Sequence, residues 1–191
     1  CNTSSVLFGN TIVNLYISSG YAVRSNLVDL FMPHTILSLH GESIVDSSSE
    51  PKTLTNSGVS VSSAQSVFGT SSLEFDGTSD RITLAITQDF YFGAEDYTIE
   101  AWLHPTIVTG KIRHWFSMSE NTTGSFAYCY FGSVNTNGSI QCHVQPTTGG
   151  GSTTITSPTG LIVANTWYHI MVCRKGNNIY MFLNGNIVAT S

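Results

Sequence analysis

The chain has 191 residues, enough to bury a real core in one large or two small domains. Only 10% of residues are charged, and the formal net charge is −5 with no cluster of Lys and Arg. That balance argues against a phosphate-backbone partner such as nucleic acid, and no apolar run reaches the ~18 residues of a membrane-spanning helix, so no membrane insertion is expected.

In place of charge the sequence uses Ser, Thr, Asn and Gly, the residues of strands and tight turns. The start, CNTSSVLFGN, has no Met and no basic-then-apolar leader pattern. The end falls just past an Asn-Gly turn, so the chain reads as part of a longer polypeptide. Residues 1–33 offer two or three short strands around Ser18-Ser19-Gly20 but no core of their own. They are expected to form a β-rich docking segment that packs on another subunit, on a neighbouring copy or on sequence beyond this chain's residues.

From residue 34 onward, strand and turn signals recur at the spacing of an antiparallel sandwich. TILSLHG is a strand, and SIVDSSSEPKTLTNSG is a polar excursion. SSLEFDG is a strand ending at Asp76-Gly77, with DRITLAI as its return strand. ITQDFYFGAED has room for one short turn of helix. YTIEAWLHP places Tyr97, Ile99, Ala101 and Leu103 on one face, with Glu100 and Trp102 on the other. KIRHWFSMS, SFAYCYFG, SIQCHVQ and STTITS follow as shorter strands. TWYHIMVCRK is apolar on both faces, which predicts an inner strand covered on each side. IYMFL repeats that pattern, and Asn184-Gly185 is a strong hairpin signal.

The four cysteines are Cys1, Cys129, Cys142 and Cys173, with no CxxC pair. A hairpin closing near Asn135 and Thr136 would set Cys129 opposite Cys142, either as two small apolar side chains or as a cross-strand disulfide. Cys173, within an apolar run, reads as a buried free thiol.

Three segments, SAQSVFGTSSLEFDGTSDRITL, DYTIEAWLHP and NTWYHIMVCRKGNNIYMFLNG, together resemble the laminin-G-like domains of the concanavalin A-like jelly-roll lectins and glucanases. The likeness runs from about Ile36 to Ser191. It implies an all-β fold: an antiparallel jelly-roll sandwich over residues 34–191 that lacks its final strand, since the family continues past the Asn-Gly turn. The SxAQSxFGxSSLxFDG segment is similar to the version found in bacteriophage tail and particle-surface proteins.

The fold family includes retaining glucanases, which need paired carboxylates on one strand face. The nearest approach here is Asp96 with Glu100, and Asp96 falls in the turn before the strand. No GxSxG, HExxH or phosphate loop is present, and the chain reads as a non-enzyme. His169 reads as a structural hydrogen-bond donor on a buried strand face. The resemblance implies loop-rim calcium as the one candidate cofactor, none being required, with Asp46, Asp76 and Asp80 as candidate ligands. Sugar binding calls for aromatic platforms beside polar groups. The candidates are Trp115, Tyr128, Tyr130 and His143, against a plain alternative of core packing for each. The resulting expectation is a structural or appendage protein of a virion surface, of tail-fibre or decoration type. It would contact other subunits through residues 1–33 and host cell-surface polysaccharide through the sandwich. The alternative is a secreted, extracellular carbohydrate-binding adhesion module that uses calcium.

Overall fold

The computed structural model describes residues 3–7, 13–19, 35–85, 87–122, 125–145 and 151–191; for 3–7, 13–19, 119–122 and 125–131 it describes the backbone alone. The chain is all-β. Its strands in order are β1 (Thr3–Leu7), β2 (Val13–Ser19), β3 (Thr35–Leu39), β4 (Leu54–Ser57), β5 (Ser60–Ser62), β6 (Ser72–Glu74), β7 (Arg81–Ala85) and β8 (Tyr97–Leu103). They continue as β9 (Arg113–Thr122), β10 (Ser125–Val134), β11 (Ile140–Gln145), β12 (Thr153–Thr156), β13 (Tyr168–Lys175), β14 (Asn178–Leu183) and β15 (Asn186–Thr190). The helical turn expected in ITQDFYFGAED is a 3-10 turn at Gln88–Phe90.

Two antiparallel layers enclose one core. The first runs β15-β14-β13-β8-β2-β6-β5, with β3 also paired to β2. The second consists of two ladders, β12-β11-β10-β9 and β1-β7-β4, side by side where β1 runs along β9. β8 shows why the sequence folds this way: its burial alternates strictly, with Tyr97, Ile99, Ala101 and Leu103 inside. β13 and β14 repeat the alternation through Tyr168, Ile170 and Val172, then Ile179, Met181 and Leu183. Asn184 and Gly185 take φ of 50° and 82°, the mirror-image turn that matches the twist of a two-residue hairpin.

Several expectations change. Residues 1–33 were to lie outside the sandwich, yet β1 pairs β7, and β2 sits between β8 on one side and β3 and β6 on the other. Its register sets Leu15 across from Ala101 and Leu39, so the core this segment lacks by itself belongs to the same chain. β6 and β7 are not a hairpin but lie in different layers. The Asp76–Asp80 loop carries the chain across, held by Asp76, whose Oδ1 accepts the N–H groups of Thr78, Ser79 and Asp80. Cys129 pairs with Gln145 rather than Cys142, which sits opposite Gly132. A tight turn in which Gly138 N–H donates to the Asn135 carbonyl (3.0 Å) sets that register. Cys142 is a buried free thiol. Finally, β13 is covered on one face only. His169, Met171 and Cys173 on its other face are half-buried, and Cys173 is a free thiol there.

Candidate functional site

The outward face of the first layer is unusual for a solvated sheet, where polar residues normally alternate with buried ones. Across β8, β13 and β14 it presents Glu100, Trp102, His169, Met171, Tyr180 and Phe182, all half-buried. The register sets Trp102 opposite His169 and Glu100 opposite Met171. Glu100 and His169 are therefore diagonal neighbours, within reach of long side chains, and Glu100 Oε2 meets His169 Nε2 at 3.1 Å. The two keep 32% and 18% of their side-chain surface, so both face solvent at the pair's rim. His169 is fixed from behind: its N–H donates to Asn184 Oδ1 and its carbonyl accepts from Asn184 N–H, each at 2.8 Å.

Aromatic rings complete the site. The His169 ring lies 5.2 Å from Trp102, tilted by 34°. Phe68, arriving from the loop between β5 and β6, stands edge-on to Trp102 at 5.5 Å and 86°, a favoured aromatic geometry. Phe68 is 58% exposed, so the cluster opens to water at an aromatic surface. A ring platform beside a carboxylate and an imidazole offers C–H stacking and directional hydrogen bonding together. A shallow groove of about 530 Å³ at one end of the sandwich, walled by Ile107, Val108 and Val163, lacks that convergence. The amide oxygen of Asn137 at its rim is already taken by the Ser139 N–H and hydroxyl.

The residues singled out from sequence fall elsewhere. Trp115 is only 2% exposed, packed edge-on against Phe116 at 4.7 Å, and so is core rather than a sugar platform. Its indole fills the space beside Gly132, where a Cβ would lie 2.4 Å from Trp115 Cε2. Tyr128 and Tyr130 lie on β10 where only backbone is described, so their side chains fall outside the described residues. His143 is half-buried in the second layer, its Nδ1 2.9 Å from Thr154 Oγ1, and burial holds its pKa below the usual imidazole value. Asp46 is buried and accepts the N–H groups of Ser38, Ser48 and Lys52 plus the Ser48 hydroxyl.

Asp76 Oδ2 accepts the hydroxyls of Thr78 and Ser79. The Thr78 hydroxyl first, then the N–H groups of Thr78, Ser79 and Asp80, hold its carboxyl well below the usual carboxylate range. Asp80 accepts the Asp76 N–H. Among the described residues no three His, Cys, Asp or Glu side chains come together as a metal site. Asp96 and Glu100, four residues apart on extended chain, have Cα atoms about 13 Å apart, well beyond the ~5–5.5 Å carboxyl spacing of a retaining glycosidase. Asp96 is bound instead by Lys175 Nζ (2.8 Å) and Gly176 N–H (2.7 Å).

Sequence reasoning passed over the Phe68 cluster because Phe68 sits in a polar loop with no periodicity. The signal that could have found it is the outward parity of Glu100, Trp102, His169 and Met171 on strands that pair.

A laminin G family model, described as the concanavalin A-like lectin/glucanases superfamily, matches residues 76–191. The chain belongs to this family, whose fold is the antiparallel sandwich described above and which fits a carbohydrate-binding or adhesion module. Searches of curated proteins and of solved structures find no match.

Proposed function

We propose that this chain is a non-catalytic surface module, carried on a virion appendage, that contacts host-surface glycan through the Phe68–Trp102 face. The observation that carries the reading is the exposed ring pair beside the Glu100–His169 couple. A pyranose would lay its C–H face on the rings, and its hydroxyls would donate to the carboxylate and exchange hydrogen bonds with the imidazole. Preorganisation favours this use: the hairpin turn clamps His169 and the contact with its Nε2 holds Glu100, so little side-chain freedom is lost on binding. What supports the virion setting is the SxAQSxFGxSSLxFDG segment, whose Phe is the ring at the platform's edge.

The test is binding of the full chain to a panel of immobilised cell-surface polysaccharides, with Phe68→Ala alongside. Retention by at least one polysaccharide, lost in Phe68→Ala with the fold intact by circular dichroism, is the expected result. Retention that Phe68→Ala leaves unchanged would exclude this face, and no retention on any polymer would exclude the glycan reading.

A further inference from the structure

Charge is distributed unevenly around the platform. Glu100 carries its carboxylate on the same face as Trp102. A second carboxylate, Glu42, is exposed and packs so closely on Gly69, the residue after Phe68, that a Cβ there would overlap its Oε1. Among the described residues the Lys and Arg side chains are placed elsewhere. Lys52 pairs with Asp89 at 3.0 Å. Arg113 donates to the carbonyls of Thr109 and Lys111, and Arg81 to that of Ser79. Arg174 is tied to the carbonyls of Gly93 and Gly176, and Lys175 to Asp96. Lys111 lies in the loop leading into β9, in the other layer. On β13 itself, Arg174 stands five residues beyond His169, about 16 Å along the strand. Among the described residues the bases of this face are His169, whose Nε2 is engaged by Glu100, and the exposed His40 at the end of β3, whose Nε2 lies 3.4 Å from Ser38 Oγ.

We propose that this face selects uncharged polysaccharide and rejects anionic polysaccharide. The inference rests on the glycan reading and adds the ligand class to it. A neutral hexose polymer satisfies the rings through its C–H face and Glu100 through its hydroxyls. A uronate or sulfated sugar brings an anion toward Glu100 and Glu42 with no uncommitted Lys or Arg beside the rings, among the described residues, to receive it. Like charges brought together in a partly desolvated site are a repulsive element of specificity, and the chain's net charge of −5 acts in the same direction.

The experiment uses matched pairs: glucan, mannan, galactan and N-acetylglucosamine polymers, each beside its carboxymethyl derivative, in affinity electrophoresis of the full chain. At low ionic strength the neutral member is expected to bind about tenfold more tightly than its derivative. The gap should narrow at ~1 M salt, where the Debye length is about 3 Å. Glu100→Gln, which keeps the acceptor oxygen and removes the charge, should narrow it as well, and Glu42→Gln gives a second reading in an exposed position that does not threaten the fold. Equal or tighter binding of the carboxymethyl polymers overturns charge selection and leaves glycan binding standing. A gap unchanged in both Gln variants overturns the assignment to these carboxylates. Failure of every neutral and every anionic polymer to bind removes the glycan reading and this inference together.

Discussion

Replacing Asp46 by Ala separates an internal cross-brace from a calcium ligand. The Asp46 carboxylate is buried and receives Ser38 N–H at 3.0 Å, Ser48 N–H at 2.9 Å, the Ser48 hydroxyl at 3.0 Å and Lys52 N–H at 2.7 Å. These bonds tie β3 to the loop that covers its outer side. Alanine leaves three backbone donors without an acceptor, and a buried donor without a partner costs about 1–3 kcal/mol. Water can reach the Lys52 end of the loop more easily than the Ser38 end, so the total expected is about 3–5 kcal/mol. For a chain of this size each kcal/mol lowers Tm by about 2–4 °C, giving a fall of about 6–20 °C. Asp46→Asn keeps one acceptor oxygen and should lose about half as much. The assay is urea and thermal unfolding of wild type and both variants, in calcium and in EGTA. A loss below about 1 kcal/mol for Asp46→Ala would refute the cross-brace. A wild-type gain in calcium that Ala erases would make Asp46 a metal ligand instead.

Gly132→Ala should destabilise by about 1–3 kcal/mol, since the added carbon meets the buried Trp115 indole. In a double-mutant cycle with Trp115→Phe the two losses should fall short of additive, and additivity would argue against the contact. Burial pushes the Cys142 thiol up to about 12. Cys142→Ser should therefore leave the number of thiols titrated by Ellman's reagent in the native protein unchanged, and a drop of one would contradict the burial. Acid should act in two stages. His114 and His143 are held low by burial, so the unfolded chain binds their protons first and stability falls as pH drops through about 6.5. Asp76, Asp89 and Asp96 are lowered by hydrogen bonds, led by Thr78, Lys52 and Lys175 in turn, so their contribution holds above about pH 4 and is lost below it. His143→Gln should flatten part of the first stage in a pH series of urea melts, and an unaltered curve would exclude His143 as a source.

The parts legible in sequence were those carried by local pattern. The alternation of β8 and the turn at Asn184-Gly185 specify themselves, because one face must be buried and one dipeptide fits the turn. The misreadings arose where local pattern is degenerate. Asp76-Gly77 serves a hairpin or a crossover between layers equally well, and only the packing of β7 against β1 and β4 decides. The Cys129–Cys142 register moved because the connection closes around Asn137, with Asn135 N–H bonded to the Ser139 carbonyl, rather than at Asn135–Thr136, and strand composition does not encode that offset. At Trp115 the pairing of β9 with β10 shifts between Gly132 and Ser133, so Trp115 and Phe116 are both buried, which strict alternation forbids. Phe68 reaches Trp102 across the fold, a meeting that no spacing along the chain announces.

The position of β2 also sets an order of events during synthesis. It is made well before β8, the partner along its whole length, so at ordinary rates of about 5–20 residues per second its β8-facing edge waits on the order of ten seconds. During that interval β2 can join β3 and then β6, and its other row of amide groups is open to any passing strand. β8 then offers its free edge to β13, made later still, so the β13–β15 side of the layer reaches β2, β3 and β6 only through the long-range β2–β8 pairing. A nascent chain stalled before Leu103 would display an open edge, and strand exchange between neighbouring copies on one polysome would be its characteristic error.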